Sequence, residues 1–271
     1  MDGGTVRVSL LQIAVDQEES VENRRSRVAA AVRAQSDADL VVLPELWTVG
    51  AFAYEAWPAA AEGLDGPTAE AMSAAARDAG VWLHAGSIVE RAEPKDGPGA
   101  GPGTLYNTSL VFDPAGELRY TYRKIHRFGF DRGEAVVMGG GDRIVTASLP
   151  QATLGLATCY DLRFPEQFRL LVDAGADVLA VPAGWPARRR EHWLLLTRAR
   201  AVESQAYVLA CCTAGTHAGV PQAGHSLVVD PWGEVLAEAG DGEEVLTARI
   251  DPARTAKVRA EFPVLRDRVL G

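Results

Sequence analysis

Cys159 stands where the run "LGLATCYD" turns from small and apolar residues to charge, at a place where any small filler would finish a buried strand. A thiol there is a candidate nucleophile, but with an ordinary pKa of about 8.5 only a few per cent is thiolate at neutral pH. Two other segments end on groups that supply what it lacks. "VVLPELW" ends its apolar run on Glu45, just past Pro44, and "YRKIHRFG" places Lys124 at the end of the strand at 120–123. A carboxylate can take the thiol proton, and an ammonium can offer positive charge to the thiolate or to an oxyanion. Taken singly, each residue has a plainer reading. Glu45 suits a surface strand end or helix cap, Lys124 a solvated lysine in "RKIHR", and Cys159 an inert buried filler. Spacing alone does not decide whether the three meet.

Ligands of α/β proteins bind beyond the carboxyl ends of strands, so the elements that carry these positions matter. Strands are expected at "VRVSLLQIAV", "ADLVVLPE" and "VWLHAGSIVE", with helices at 20–34 and 67–79 between them. "TLYNTSLVFDPAGELRYTYRK" reads as two antiparallel strands turning at Asp113-Pro114-Ala115-Gly116. "ATLGLATCY" and "ADVLAVPA" flank a helix at 165–173, and a helix at 191–204 precedes the strand "AYVLACC". "GHSLVVDPWGEVLAE" repeats the strand–turn–strand pattern, and "EEVLTARID" ends the strands. Roughly ten to twelve strands exceed one simple open sheet. The expectation is an α/β fold of two mixed sheets with helices on their outer faces. The Gly/Pro-rich stretch "EPKDGPGAGPG" from Glu93 to Gly103 reads as a surface loop between strands, leaving residues 1–271 as a single domain.

Composition narrows the partners. The 271 residues are 47% hydrophobic and 23% charged, with a formal net charge of −9 that argues against nucleic acid or an anionic membrane. Arg188-Arg189-Arg190, the one basic cluster, reads as a solvated helix start. No apolar run reaches the length of about 18 residues that a membrane span requires, and "MDGGTVRVSLLQIAV" lacks the regions of a secretion signal. A cytoplasmic protein is expected. Of the three cysteines, Cys211 and Cys212 are neighbours in a strand, point to opposite faces and suit buried fillers.

Pro44-Glu45-Leu46, Tyr122-Arg123-Lys124-Ile125-His126 and the run from Cys159 through Glu166, "CYDLRFPE", resemble the three signature motifs of the nitrilase superfamily of carbon–nitrogen hydrolases. Later blocks, His192 through Val208 and Gly224 through Val235, are also similar to the family, so the resemblance spans nearly the whole chain. It implies a four-layer α-β-β-α sandwich and a Glu-Lys-Cys triad. Cys159 would attack an amide carbonyl and Glu45 would shuttle the proton, while Lys124 and the Tyr160 N–H stabilise the oxyanion. Glu134, between the Lys and the Cys and ahead of Gly141-Asp142, matches the family's second glutamate and would hold Lys124 and orient substrate. No metal or organic cofactor is implied, and members commonly form homodimers or larger assemblies through the helices after Cys159 and at 191–204.

The Cys-Tyr-Asp-x-Arg-Phe-Pro-Glu run and the segment "PAGWPARRREHW" resemble the branch acting on small ω-amides of dicarboxylic acids. Such a small-molecule substrate carries a carboxylate that requires a cation, and Arg127 and Arg188 are the candidates. Arg127 is also a departure, since that branch commonly has Leu at the position. Tyr160, Phe130 and Trp185 complete the expected substrate side. An acyltransferase using the same thioester, or a silent binding protein of the same fold, is the alternative.

Overall fold

The computed structural model describes residues 4–93 and 103–270. Most of the expected Glu93–Gly103 loop lies outside the described residues. Strands run in chain order as β1 (Val6–Gln12), β2 (Leu40–Val42), β3 (Trp82–Arg91), β4 (Leu105–Phe112), β5 (Leu118–Arg123), β6 (Thr146–Ser148) and β7 (Thr153–Leu156). They continue as β8 (Val178–Ala183), β9 (Tyr207–Cys212), β10 (Thr216–His217), β11 (Val220–Pro221), β12 (Leu227–Val229), β13 (Val235–Glu238) and β14 (Glu244–Ile250). The helices are α1 (Val21–Arg33), α2 (Trp57–Ala60), α3 (Pro67–Ala79), α4 (Glu134–Val137), α5 (Pro165–Asp173), α6 (Arg190–Ser204) and α7 (Pro252–Glu261).

Two six-stranded sheets, ordered β14-β1-β2-β3-β4-β5 and β13-β12-β9-β8-β7-β6, repeat one design. Each has three parallel strands, β1-β2-β3 or β7-β8-β9, flanked by antiparallel ones. The period-2 alternation explains the layers. Val6, Val8 and Leu10 of β1 meet Val178 and Ala180 of β8 and Leu209 and Cys211 of β9 in a core between the sheets. The alternate positions face outwards: Leu11 packs with Val28 of α1 and Met72 of α3, and Val208 and Cys212 pack with Phe168 of α5 and Trp193 of α6. The layers are therefore α-β-β-α, as expected, and Cys211 and Cys212 do lie on opposite faces.

Local signals set the helix ends. The Ser20 hydroxyl accepts from the Asn23 N–H at 3.2 Å to start α1, Pro67 and Pro165 open α3 and α5, and Gly80 at φ +70° closes α3. Among the described residues no helix is long and apolar enough to cross a membrane.

Candidate active site

Glu45 is not on a strand. Strand β2 ends at Val42, and a tight turn carries the chain through Pro44 and Glu45 to Leu46, whose φ is +45°. That turn is fastened to β3: the Leu46 N–H donates to Ser87 Oγ at 3.0 Å, and the Trp47 indole donates to the Ala85 carbonyl at 2.9 Å. Gly86, at φ +66°, makes this approach possible, because a Cβ there would lie 1.9 Å from the Pro44 oxygen. Cys159 likewise stands beyond its strand. Strand β7 ends at Leu156, and Cys159 opens a single 3₁₀ turn, Cys159–Arg163, at φ +47°. Positive φ is costly for a residue with a Cβ and persists only where surroundings enforce it.

Asp161 supplies that enforcement. Its buried carboxylate accepts from the Thr158 N–H at 2.8 Å, the His126 N–H at 2.9 Å and the Tyr122 hydroxyl at 2.7 Å. Burial, followed by the neighbouring Asp161 charge, pushes the Tyr122 phenol well up, so it remains a donor. Because Tyr122 is on β5 two residues before Lys124, one carboxylate ties the cysteine turn to the lysine's strand.

The three elements converge. Lys124 Nζ donates to Glu45 Oε1 and to Glu134 Oε2, each at 2.7 Å. Glu45 Oε2 accepts from the Gly184 N–H at 2.8 Å, and Glu134 Oε2 also accepts from the Phe128 N–H at 2.7 Å. Asn107 Nδ2 donates to both carboxylates, at 2.8 Å to Glu45 and 2.5 Å to Glu134. Cys159 Sγ lies 4.0 Å from the Gly184 carbonyl oxygen. Glu45, Lys124, Glu134 and Cys159 line one cavity.

Electrostatics assign states to the groups. Burial pushes the Cys159 thiol well above its ordinary range, and the adjacent Glu45 charge adds to the effect, so the resting sulfur is a neutral thiol. Burial pulls Lys124 down, but Glu134 and Glu45 outweigh it and hold the ammonium well above its usual range. Burial raises Glu134 despite the lysine. A lysine held charged cannot take the thiol proton, so the groups in the cavity able to accept it are the carboxylates Glu45 and Glu134.

The substrate side differs from the expected one. Tyr160 and Trp185 line the cavity, with Phe52, Tyr54, Phe128, Arg163, Pro186 and Arg189. Arg127 does not reach it: its guanidinium donates to the Met138 carbonyl at 2.8 Å and pins the end of α4. Phe130 and Arg188 line only a wider outer vestibule, Phe130 being 82% exposed. These corrections share a cause. The chain reverses sharply after Lys124, where Gly129 and Gly133 form a bridge, and the 3₁₀ turn Ala187–Arg189 turns Arg189 inward in place of its neighbour.

Arg163 lies over the Trp185 ring at 4.8 Å and Arg189 over the Phe128 ring at 5.4 Å. Among the described residues neither has a carboxylate at salt-bridge distance, and burial with Arg188 and Arg163 lowers Arg189. Nothing in the sequence separated Arg189 from its two neighbours. Asn107 did carry a signal, an amide inside a strand buried at every position. Neither Cys211 nor Cys212 lines the cavity.

The sequence profile described as carbon–nitrogen hydrolase matches residues 5–260. The chain is 42% identical to a 2-oxoglutaramate amidase of Paenarthrobacter nicotinovorans over 98% of its own length and 90% of the relative's. It is 34% identical to the omega-amidase NIT2 of Homo sapiens, over 97% and 94% of the two chains. The crystal structure of XC1258 of Xanthomonas campestris, a CN-hydrolase superfamily protein with an arsenic adduct in its active site, overlays with a TM-score of 0.88 at 31% identity, covering 99% of this chain and all of that one.

Proposed function

Since the chain belongs to the carbon–nitrogen hydrolase family and is an amidase, we propose that it hydrolyses the ω-amide of a small dicarboxylic acid through a thioester on Cys159. The observation that carries this reading is the Lys124 ammonium held between two carboxylates in the cavity that also contains the neutral Cys159 thiol. As sulfur attacks the amide carbonyl, the S–H proton passes to Glu45 and the S–C bond forms. Lys124 and the Tyr160 N–H stabilise the oxyanion. Collapse breaks the C–N bond, and the proton leaves with nitrogen as ammonia. Glu45 then takes a proton from water as it attacks the thioester, and returns that proton to sulfur when the acid departs. Glu134 holds Lys124 throughout.

Arg163 and Arg189 support the dicarboxylic part of the reading, because two cations that line an aromatic cavity and, among the described residues, have no carboxylate at salt-bridge distance match a substrate carboxylate, although Arg163 also meets the His192 ring at 3.2 Å. The named activities of the relatives, 2-oxoglutaramate amidase and omega-amidase, agree with such a substrate. The test is ammonia release from matched amides. Succinamate should be turned over with a kcat/KM at least about 10²-fold above butyramide, since a buried carboxylate in a charged hydrogen bond separates the two. Equal values would remove the carboxylate from the proposal.

A homodimer belongs to the same proposal. Leu170 of α5 and Leu195 and Val202 of α6 are 54%, 66% and 51% exposed on the outer helical layer, an apolar set suited to a second copy. Light scattering at micromolar concentration should give twice the chain mass, and Leu195→Glu should halve it. A wild-type monomer would end this part of the proposal.

A further inference from the structure

The Asn107 amide sits between the two buried carboxylates, with Nδ2 facing an oxygen of each. Carboxylate oxygens accept, so the donor end of the amide must be the end that faces them. Its other end, Oδ1, is buried without a partner among the described residues, an unfavourable placement for a carbonyl. The residue's backbone carbonyl also accepts from the Lys124 N–H at 2.9 Å, but that bond survives substitution of the side chain.

We propose that Asn107 is a positioning residue that makes Glu45 a one-sided base. Lys124 and Asn107 both donate to Oε1 and occupy it, whereas among the described residues the backbone donor to Oε2 is the Gly184 N–H. The proton released when S–H breaks and S–C forms is therefore taken at Oε2. From there it passes to the amide nitrogen as the C–N bond breaks. The same NH₂ group fixes Glu134, so one side chain holds both carboxylates around the ammonium. This inference rests on the hydrolase reading above.

Asn107→Leu removes the donors at similar volume, and Asn107→Asp keeps the shape but adds a third negative charge. Both favour a protonated Glu45, so both move activity in the same direction. With succinamate, kcat should fall about 10²-fold while KM changes by less than about threefold, the pattern of a lost transition-state interaction. The acid limb of the kcat/KM profile should rise by about one pH unit, the size of a lost charge-assisted hydrogen bond. Alkylation of Cys159 by iodoacetamide, located by peptide mass, should show the same displaced limb, and it requires no amide hydrolysis. Folded variants whose two pH profiles coincide with wild type overturn the proposal, even if they are slower, because a purely structural residue would slow the enzyme without moving the limb. Should Asn107→Leu not fold, Asn107→Asp decides alone. A wild-type protein that cleaves no amide while the alkylation limb moves would overturn the hydrolase reading and leave the assignment of Asn107 standing.

Discussion

Glu45→Gln should lower kcat by at least about 10³-fold, because in the proposed mechanism one carboxylate carries the proton in both halves of the reaction and a single general acid–base role contributes about 10²–10⁴. The burial-raised thiol has no thiolate in reserve, and Lys124 is held charged by its two carboxylates, so neither compensates. Glutamine can keep an oxygen for Lys124 and Asn107 but then presents an NH₂ to the Gly184 N–H, and it cannot accept a proton. Cys159→Ala should remove activity to background, and adding Glu45→Gln to it should cost nothing further, since residues that act as one unit lose their effects together. Ammonia release measured on variants that retain the wild-type melting temperature checks this. Turnover of Glu45→Gln within tenfold of wild type would mean that another group accepts the proton.

Arg163→Leu and Arg189→Leu carry the second large effect. Each should raise KM for succinamate by about 10-fold or more, with about 10²-fold for the pair, the range expected for charge-assisted bonds to a buried carboxylate. Butyramide has no such group, and its KM should stay within about threefold. Arg127→Leu, by contrast, should leave the succinamate-to-butyramide preference unchanged, because its guanidinium is engaged at the end of α4. Arg188→Ala, in the outer vestibule, should do the same. Steady-state kinetics on the two amides decides it. Parallel losses for both substrates in the Arg163 and Arg189 variants would mean that these arginines shape the cavity without binding the carboxylate.

The elements were legible because their signals are local. Ser20, Pro67, Gly80 and Pro165 mark helix ends by side-chain chemistry, and the strand alternation that puts Cys211 and Cys212 on opposite faces is a matter of period. Glu45 and Cys159 stood out because each ends an apolar run, and Lys124 because it follows the end of an expected strand. Their convergence was not legible in spacing, since it depends on two turns that leave the strands three residues early and on Asp161 tying the cysteine turn to the lysine's strand. The substrate side was least legible. Whether Arg188 or Arg189 enters the cavity depends on one turn of 3₁₀ helix, and whether Arg127 does depends on backbone carbonyls contributed by α4. Asn107 shows the opposite case, in which the signal was present but its meaning required two partners far away in sequence.

The central claim is that the acyl group passes through Cys159 Sγ. Acid quench of the enzyme during turnover of succinamate, followed by peptide mass mapping, tests it most directly. The expected result is a succinyl group on the peptide carrying Cys159, released by hydroxylamine as the hydroxamate and absent from Cys159→Ala. A succinyl group on any other peptide, or continued ammonia release from Cys159→Ala at the wild-type rate, would contradict the account.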